Sequence, residues 1–456
     1  MACSAADVSV GLLMPPPPAV PAGALALKLP PSLLGLRGLN NLGQTCFMNC
    51  ILQIFVHCPP VARFFLSDRH NRLSCIHRRK QAQRINDGSA VELRPCLACE
   101  MDTILAAFYS GVQAPFSPHA FLHAMWCASE HFAGYEQQDA HEFLVAMLAS
   151  IYSSMREQTA AAGPAPSLVE GSQLVRTPSL GGPSTGRSCQ DLSSIFAGVL
   201  RSEVTCAKCR HRSVKREDFS DISLDLTRQY TAGRAGMEQV AGGDPAPAGL
   251  GKGGGMDGGS EASAAESLTA CLRAFTGMEE LSSDERCWCD KCGSLQNSSK
   301  QMSIERLPNV LCFQLKRFRQ TMERGKHASK VDSFVEFPMH SLNMYNYTSA
   351  FISSRAASGG GSDAAGGSSR TSRGGGSDAG ELSAVAELRP PAAEHLYDLF
   401  GIALHHGTMQ NGHYTAYIRR HASWFHCDDA SVTPVTPKAV RSCKAYLLFY
   451  IRKAVC

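Results

Sequence analysis

Apolar residues recur at helical spacing in two stretches of the chain. The first stretch follows Thr45 and carries apolar residues at Phe47, Cys50, Ile51, Ile54 and Phe55. This spacing predicts a helix that begins near Cys46, with Thr45 as its N-cap. The second stretch, at 134–155, carries Phe143, Leu144, Met147, Leu148 and Ile151. We interpret these residues as the face of a helix that packs in the core.

Strand-like apolar runs dominate the C-terminal part of the chain. Residues 397–405 and 413–419 flank a turn-rich segment at 407–412, and further runs follow at 424–429 and 446–451. This pattern predicts an antiparallel meander. In such a meander His413 opens one strand and Asp428 ends its neighbour, so that an imidazole and a carboxylate can come into contact.

Stretches rich in proline, glycine, alanine or serine interrupt this pattern at 1–34, 158–189, 231–266 and 352–393. Half of the 40 glycines lie in the last two stretches. Such sequences cannot bury enough apolar surface to offset the entropy lost on ordering. A length of 456 residues would suggest about three domains. We predict instead one catalytic domain over 35–456 with flexible surface inserts, preceded by a disordered segment over 1–34.

Charge and targeting signals narrow the function classes. The net charge is +4, and no dense basic block occurs beyond Arg78-Arg79-Lys80. This balance weighs against nucleic acid as the main partner, and no direct sequence-specific nucleic-acid binding is expected. The apolar stretch at 8–27 is broken by four consecutive prolines, and it resembles neither a signal peptide nor a membrane span. A soluble intracellular protein without a membrane partner is therefore expected.

Cysteine spacing predicts a metal site. The chain has 19 cysteines and no export signal, which favours metal ligation or thiol chemistry over disulfides. Two Cys-x-x-Cys turns can together complete a closed tetrahedral zinc site. We predict that Cys206, Cys209, Cys289 and Cys292, in two turns at strand ends, hold a structural zinc ion. The alternative is a set of unligated buried cysteines.

A third Cys-x-x-Cys pair, Cys96 and Cys99, has no matching second pair. His70, Cys75 and His77 lie upstream of it. A mixed site of His70, Cys75, Cys96 and Cys99 would satisfy four-coordination, with His77 as a substitute ligand. The alternative is that these small thiols simply pack in the core.

Cys46 is the candidate nucleophile. In the first turn of a helix, the unpaired N–H groups and the helix dipole stabilise a thiolate, the reactive form of cysteine. Cys50 and Cys58 lack this position, and we interpret them as core residues. A cysteine nucleophile needs a base, and the base needs an orienting group. In the predicted meander, His413 and Asp428 supply that pair.

Together these motifs resemble those of a known family. Residues 38–49, Gly-Leu-Asn-Asn-Leu-Gly-Gln-Thr-Cys-Phe-Met-Asn, resemble the Cys box of the ubiquitin-specific proteases, and 412–417 with 424–429 resemble their His box. Residues 134–144 and 307–318 are similar to further family blocks in the same order. The resemblance covers 35–451 apart from the inserts. Within the family, the segments at 64–70, 96–100 and 134–144 are most similar to the histone-directed enzyme of the SAGA coactivator complex.

The resemblance implies an α+β, papain-like cysteine protease fold with a helical thumb, a β-rich palm and zinc-binding β fingers. It also implies a thiol-dependent deubiquitinase that hydrolyses isopeptide bonds after the C-terminal glycine of ubiquitin, with histones as candidate substrates. By correspondence, Cys46 is the nucleophile, His413 the base, Asp428 the orienting carboxylate and Asn41 an oxyanion donor. The four-cysteine set matches the zinc ligands of the fingers, and the mixed set resembles an extra zinc site of the SAGA-type enzymes.

The chain departs from that subfamily in two ways. SAGA-type enzymes usually begin with a separate zinc-finger domain that docks partner subunits, whereas about 34 proline-rich residues precede the motifs here. Membership in such a complex is therefore left open. Gln44 stands where asparagine is commoner. Two roles are open for Gln138 and Asp139, namely contact with ubiquitin and capping of the predicted helix.

The resemblance also sets expectations for partners and location. Ubiquitin, ubiquitinated proteins and coactivator subunits are the expected partners, in the nucleus and also in the cytoplasm. Two alternatives come from other classes of function. One is a catalytically idle scaffold that binds ubiquitin, and the other is a protease for a different ubiquitin-like modifier.

Overall fold

The computed structural model describes residues 35–86, 95–162, 192–226, 266–319, 329–358, 392–408 and 411–455. The N-terminal segment 1–34 and most of the three predicted inserts lie outside these residues. Two insert boundaries differ from the prediction, because one helix continues to Ala162 and another occupies 349–358. Both regions contain several alanines. Since alanine has the highest helix propensity, such runs extend a helix even where composition alone suggests an unfolded insert.

Helices predominate in the N-terminal half of the described chain and strands in the C-terminal half. The helices are α1 (Cys46–Val56), α2 (Pro59–Leu66), α3 (Ile76–Asn86), α4 (Leu97–Phe108), α5 (His119–Ala128), α6 (Ala140–Ala162), α7 (Ser193–Phe196), α8 (Leu268–Phe275), α9 (Ser349–Ser358) and α10 (Pro437–Arg441). The first strands are β1 (Gly198–Cys206), β2 (Arg212–Phe219), β3 (Ile222–Leu224), β4 (Glu266–Ser267), β5 (Met278–Glu280), β6 (Cys287–Cys289), β7 (Ser294–Gln296), β8 (Ser298–Arg306) and β9 (Val310–Leu315). The remaining strands are β10 (Phe318–Arg319), β11 (Ser329–Lys330), β12 (Val335–Glu336), β13 (Leu342–Asn343), β14 (Leu396–Gly407), β15 (Gly412–Arg420), β16 (Ser423–Asp428), β17 (Ser431–Val435) and β18 (Ala445–Arg452).

Helix α1 is the central element of the helical part. All of its residues are buried, because it packs against α4 and α6 on one side and against β14 and β15 on the other. Gly401 in β14 permits the close approach, since a Cβ atom there would lie 2.8 Å from the Cγ2 atom of Ile54. The predicted helix that begins at Cys46 is confirmed.

The second predicted helix is confirmed as α6, but it begins at Ala140 and not at 134. Asp139 explains the difference. Its Oδ1 atom accepts hydrogen bonds from the backbone N–H groups of His141 (2.7 Å) and Glu142 (3.1 Å). A side chain in this position satisfies N–H groups that have no partner within the helix, so it fixes the helix start.

An eight-stranded sheet forms the palm, in the order β17-β16-β15-β14-β18-β9-β3, with β13 paired to β14. Strands β14, β15 and β16 form the predicted antiparallel meander, which is confirmed. The run at 446–451 is β18, which pairs with β14, and β17 adds a strand beside β16 that was not predicted. One face of the sheet shares a buried core with α1, α2, α4, α5 and α6, and the opposite face shares a second core with α8. The helical thumb therefore packs on one face of this sheet, where α1 contacts β15.

A separate four-stranded sheet, in the order β2-β1-β8-β5, forms the fingers together with the β6–β7 hairpin. Cys206 is the last residue of β1, and Cys289 is the last residue of β6. Both Cys-x-x-Cys turns thus follow strand ends, as predicted. The α+β arrangement of helical thumb, β-rich palm and β fingers is confirmed. No single helix among the described residues is long and apolar enough to cross a membrane; α1 and α2 pass that test only as a pair that is bent by 78°.

Candidate active site

Cys46 is the first residue of α1 and follows a tight loop over 41–45. Gly43 and Gln44 have positive φ angles of 105° and 56° in this loop. The predicted N-cap, Thr45, occupies the cap position, but its side chain does not cap the helix. Instead, its Oγ1 atom accepts a hydrogen bond from the N–H of Leu42 (2.9 Å). The hydroxyl therefore closes the loop before Cys46, which was not foreseen from the sequence.

Burial is the largest influence on the pKa of the Cys46 thiol. The side chain is 4% exposed, and desolvation raises its pKa, because a thiolate is poorly stabilised away from water. The backbone of Tyr414 acts in the opposite direction and lowers the pKa, while the negative charge of Asp429 raises it. The balance is a raised pKa. The thiol at rest therefore needs a base to become a nucleophile.

His413 and Asp428 supply a candidate base and its partner. His413 is the second residue of β15, and Asp428 is the last residue of β16. The Nε2 atom of His413 lies 2.7 Å from Oδ1 of Asp428. Since this bond occupies Nε2, the Nδ1 atom is the ring nitrogen that is available to accept a proton from a thiol. Cys46 is close to this histidine, because the backbone of Tyr414, the next residue in β15, contacts the Cys46 thiol.

Asp429 joins the two ends of the chain beside this pair. Its Oδ2 atom accepts a hydrogen bond from Nδ2 of Asn41 (2.9 Å), and its Oδ1 atom accepts one from Nδ2 of Asn49 (2.8 Å). Its backbone carbonyl accepts a third bond from the N–H of Leu39 (2.8 Å). Asp429 has a φ of 46°, the left-handed region that a tight turn requires. The carboxylate therefore orients Asn41 beside the nucleophile loop.

Gly38 allows the same two segments to approach. A Cβ atom at this position would lie 2.0 Å from the carbonyl oxygen of Ala430. Any larger residue would push the loop before Cys46 away from the turn that follows Asp428. The glycine that opens the Cys46 motif is thus explained by close backbone packing.

The loop before α6 spans the space between the nucleophile loop and β15. Oε1 of Gln137 accepts a hydrogen bond from the N–H of Gly412 (3.0 Å), and Nε2 of Gln137 donates to the carbonyl of Gly412 (2.9 Å). On the other side, the ring of Tyr135 lies near Gly43, where an added Cβ would be 3.2 Å from it. The loop therefore contacts both halves of the candidate site.

Asp139 also accepts hydrogen bonds from two tyrosine hydroxyls. Tyr446 donates to its Oδ2 atom at 2.7 Å, and Tyr414 lies 3.3 Å from the same oxygen. Burial and the nearby carboxylate raise the pKa of both phenols, so both stay protonated donors. This network borders a cavity of about 420 Å³ that Gln138 and His405 also line. Burial lowers the pKa of His405 to about 4, so its imidazole is neutral at physiological pH.

The four finger cysteines come together. Sγ of Cys206 lies 4.0 Å from Sγ of Cys292, and Sγ of Cys209 lies 3.4 Å from Sγ of Cys289. All four sulfur atoms lie within 4.8 Å of one another. Four thiolates at about 2.3 Å from a tetrahedral zinc ion would be about 3.8 Å apart. The cluster can therefore hold a metal ion of this kind.

The mixed cluster of His70, Cys75, Cys96 and Cys99 also comes together, and all four residues are buried. Nε2 of His70 lies 3.2 Å from Sγ of Cys99 and 3.7 Å from Sγ of Cys96. The substitute ligand, His77, does not join the cluster, because its Nε2 atom lies 3.2 Å from the carbonyl of Ser154 in α6. One imidazole and three thiols form a second closed set of zinc-type donors.

Comparison with known families identifies the chain. A sequence model described as ubiquitin carboxyl-terminal hydrolase matches residues 37–450. The chain belongs to this hydrolase family. The match includes both ends of the candidate site, from the loop before Cys46 to the strand that contains Tyr446.

Known members of the hydrolase family are similar over most of this chain. Ubiquitin C-terminal hydrolase 22 of Arabidopsis thaliana is 35% identical over 424 residues, which are 92% of this chain and 65% of the relative. Ubiquitin carboxyl-terminal hydrolase 22 of Homo sapiens is 35% identical over 91% of this chain and 66% of the relative. Ubiquitin carboxyl-terminal hydrolase 27 of Homo sapiens is 33% identical over 92% of this chain and 80% of the relative. The chain thus spans less than two thirds of the first two relatives.

Solved structures of the SAGA DUB module have a similar fold. A chain of the Ubp8/Sgf11/Sus1/Sgf73 module bound to monoubiquitin aligns with a TM-score of 0.57 at 26% identity. The alignment covers 92% of this chain and 70% of that chain. The same module bound to ubiquitin aldehyde gives a TM-score of 0.57 at 25% identity, with the same coverage. The subfamily suggested by the sequence motifs is therefore confirmed.

Three residues of the candidate site were missed by reasoning from the sequence. Asp429 and Asn49 were assigned no role, and Gln137 was placed within the predicted helix at 134–155. Each acts through a contact that is distant in sequence: 388 positions separate Asn41 from Asp429, and 275 separate Gln137 from Gly412. One signal was available for Asn49, which is one of two polar residues, with Gln53, on the otherwise apolar helix α1.

Proposed function

We propose that this hydrolase is a thiol-dependent deubiquitinase that cleaves the isopeptide bond after the C-terminal glycine of ubiquitin. The observation that carries the proposal is the position of Cys46 at the start of α1, beside the hydrogen-bonded pair of His413 and Asp428. Cysteine, histidine and carboxylate in this order form a nucleophile, a base and an orienting group. The similarity to named ubiquitin hydrolases supports ubiquitin as the modifier.

In the proposed reaction, Nδ1 of His413 takes the proton from the Cys46 thiol, and the thiolate attacks the isopeptide carbonyl. Asp428 holds the imidazole through Nε2 and stabilises the imidazolium that forms. His413 then returns the proton to the departing lysine amine. Water attacks the resulting thioester with His413 as the base, which releases ubiquitin and regenerates the thiol.

Asn41 is proposed as an oxyanion donor. An amide NH₂ group has two hydrogens, and one hydrogen of Asn41 is bonded to Asp429. That bond fixes the orientation of the amide, so the second hydrogen can point to the oxygen of the tetrahedral intermediate. The backbone N–H of Cys46 is the second proposed donor. A donor of this kind contributes roughly 3 to 4 kcal/mol to stabilising the transition state.

The cavity beside Tyr414 is proposed to hold the C-terminal tail of ubiquitin. Tyr414 adjoins both His413 and Cys46, so a chain that leaves this cavity along β15 arrives at the thiol. Gln138 and Asp139 are among the residues that line the cavity. Asp139 lines the cavity while its Oδ1 atom caps α6, so the helix cap and a position beside the tail are compatible.

Both thiol clusters are proposed to bind structural zinc. The donor sets, four cysteines in the fingers and three cysteines with one histidine in the thumb, suit zinc better than hard cations. Zinc bound by four protein ligands has no open position for a substrate water, so its contribution would be to fix the local fold. In the thumb, this cluster would tie the loop over 67–75 to the start of α4.

Substrates and partners are proposed from the relatives. The SAGA module structures contain a similar chain together with partner subunits and ubiquitin. We propose ubiquitinated proteins, including histones, as substrates, and a coactivator complex in the nucleus as the setting, with the cytoplasm as a second location. We also propose the domain division that the sequence suggested, with one catalytic domain over 35–456.

Labelling with electrophile-tipped ubiquitin tests the proposed function. The chain is expected to form a covalent adduct with this probe, and the Cys46→Ala variant is expected to form none. Parallel probes built on other ubiquitin-like modifiers are expected to react more slowly. If one of these probes reacts faster than the ubiquitin probe, the proposed substrate would be that modifier and not ubiquitin. Binding of ubiquitin without any adduct or hydrolysis would indicate the idle scaffold.

A further inference from the structure

The end of β14 lies beside the strand that carries the proposed base. In the β14–β15 pair, His406 is opposite His413, and Gly407 is opposite Gly412. On its other edge β14 pairs with β18, and among the described residues this pairing ends at Leu404. The last residues of β14 therefore extend beyond β18, while they still support the start of β15.

Lys330, in the short strand β11, binds this extended end of β14. Its Nζ atom donates hydrogen bonds to the backbone carbonyls of His405 (2.8 Å) and Gly407 (3.0 Å). These two carbonyls lie on either side of His406, the residue opposite His413. One ammonium group thus fixes the backbone on both sides of the residue that faces the proposed base.

Gln137 holds the opposite edge of the same strand pair. The N–H and the carbonyl of Gly412 are both bonded to the Gln137 amide, so they point away from β14. In an antiparallel pair of this kind the opposite residue also directs its N–H and carbonyl outward, and the carbonyl of Gly407 is bonded to Lys330. The Gly407–Gly412 pair is therefore held from both edges, by side chains of two separate segments.

The surroundings of Lys330 suit this role. Burial lowers its pKa, because the ammonium is partly removed from water, and Asp332 acts in the opposite direction. Asp332 also forms an ion pair with Lys444. Hydrogen bonds from a charged donor are stronger than neutral ones, so the two carbonyls offset part of the lost hydration. A neutral side chain of the same length would leave both carbonyls without this donor.

We propose that Lys330 is a positioning residue of the thiol chemistry, which holds the end of β14 so that His413 stays in place beside Cys46. Lys330 has this role only if His413 is the base, as the proposed function requires. A purely structural lysine would stabilise the sheet without changing the reactivity of the Cys46 thiol, so that reactivity distinguishes the two roles.

Alkylation of Cys46 by iodoacetamide at neutral pH tests the proposal on the full chain, without any ubiquitin substrate. The wild type is compared with Lys330→Met, which keeps the length of the side chain but removes the donors, and with Lys330→Arg, which keeps charge and donors. His413→Gln gives the rate without the base. Lys316→Met is the matched control, since Lys316 is bonded to Asp225 (3.1 Å) and not to β14. Mass spectrometry measures the rate at Cys46, and thermal unfolding verifies that each variant is folded.

Lys330→Met is expected to slow alkylation about tenfold, toward the rate of His413→Gln, because a displaced base activates the thiol poorly. Lys330→Arg and Lys316→Met are expected to keep a rate close to that of the wild type. If Lys330→Met does not fold, the neutral Lys330→Gln, whose side chain is one bond shorter, takes its place.

A folded Lys330→Met variant that reacts at the wild-type rate, while His413→Gln is slow, would overturn the role of Lys330 and leave His413 as the base. Wild-type rates in both variants would overturn His413 as the base, and the role of Lys330 with it. The two failures are therefore distinguishable.

Discussion

The side-chain amide of Gln137 forms two hydrogen bonds with the backbone of Gly412, one in each direction. The bonds measure 3.0 Å to the N–H and 2.9 Å to the carbonyl. Gly412 directly precedes His413, so this contact fixes the strand end that carries the proposed base. The loop before α6 therefore acts as a positioning element for the candidate active site.

Replacement of Gln137 by alanine is expected to lower kcat/KM for ubiquitin hydrolysis by about tenfold. Two neutral hydrogen bonds contribute about 1 kcal/mol each, and part of that free energy holds His413 in place. Gln137→Glu keeps the acceptor for the Gly412 N–H but loses the donor, so an intermediate effect is expected. Glu136→Ala is the matched control, since Glu136 is an exposed residue of the same loop and does not line the cavity. Equal losses in Gln137→Ala and Glu136→Ala would contradict this role for Gln137.

Asp429→Asn is expected to reduce both stability and kcat. The substitution places an NH₂ group against the amide donors of Asn41 and Asn49, so at least one of the two bonds is lost. A buried donor without a partner costs about 1 to 3 kcal/mol, and Asn49 is 1% exposed. Thermal unfolding reports the loss of stability, and steady-state hydrolysis reports the loss of Asn41 orientation. Wild-type stability and a wild-type kcat in this variant would contradict a structural and positioning role for Asp429.

Alkylation of Cys46 by iodoacetamide is expected to depend on pH in a direction set by its raised pKa. Burial disfavours the thiolate, so in the His413→Gln variant the reaction at neutral pH should be slower than for an ordinary exposed cysteine. The rate should increase as the pH rises through the raised pKa. Mass spectrometry of the peptide that contains Cys46 distinguishes this thiol from the other cysteines. A variant alkylated at neutral pH as fast as a free cysteine would contradict the burial effect.

Removal of one ligand from either thiol cluster is expected to remove one zinc ion from the protein. We expect about two zinc ions per chain in the wild type and about one in Cys99→Ser or in Cys206→Ser. Chelation should lower the midpoint of thermal unfolding, because zinc binding is coupled to folding. Cys127→Ser and His77→Ala are controls, since both residues lie outside the clusters. Elemental analysis that gives one zinc ion in the wild type would exclude one of the two sites.

The sequence predicted the parts of the site that local pattern controls. Cys46 at a helix start, His413 at a strand start and Asp428 at a strand end all follow from periodicity, and the structure has each at that position. Thr45 occupies the predicted N-cap position, but its side chain does not cap the helix, because its hydroxyl accepts a hydrogen bond from the loop N–H of Leu42. Local sequence does not decide between such alternatives.

Contacts between distant segments could not be predicted in the same way. Asp429 bonds Asn41 and Asn49 only because α1 packs on β15, which brings the turn after β16 to the loop before Cys46. The start of α6 was predicted too early for a related reason. The polar residues before Asp139 extend across the site as a loop, where Gln137 bonds Gly412, and do not continue the helix.

Hydrolysis of a ubiquitin–lysine isopeptide substrate by the wild type and by Cys46→Ala is the most direct test of Cys46 as the nucleophile. The wild type is expected to cleave the substrate and the variant is not, with ubiquitin binding retained in both, because the alanine removes only the sulfur atom. Cleavage by Cys46→Ala at the wild-type rate would contradict the claim that Cys46 is the nucleophile.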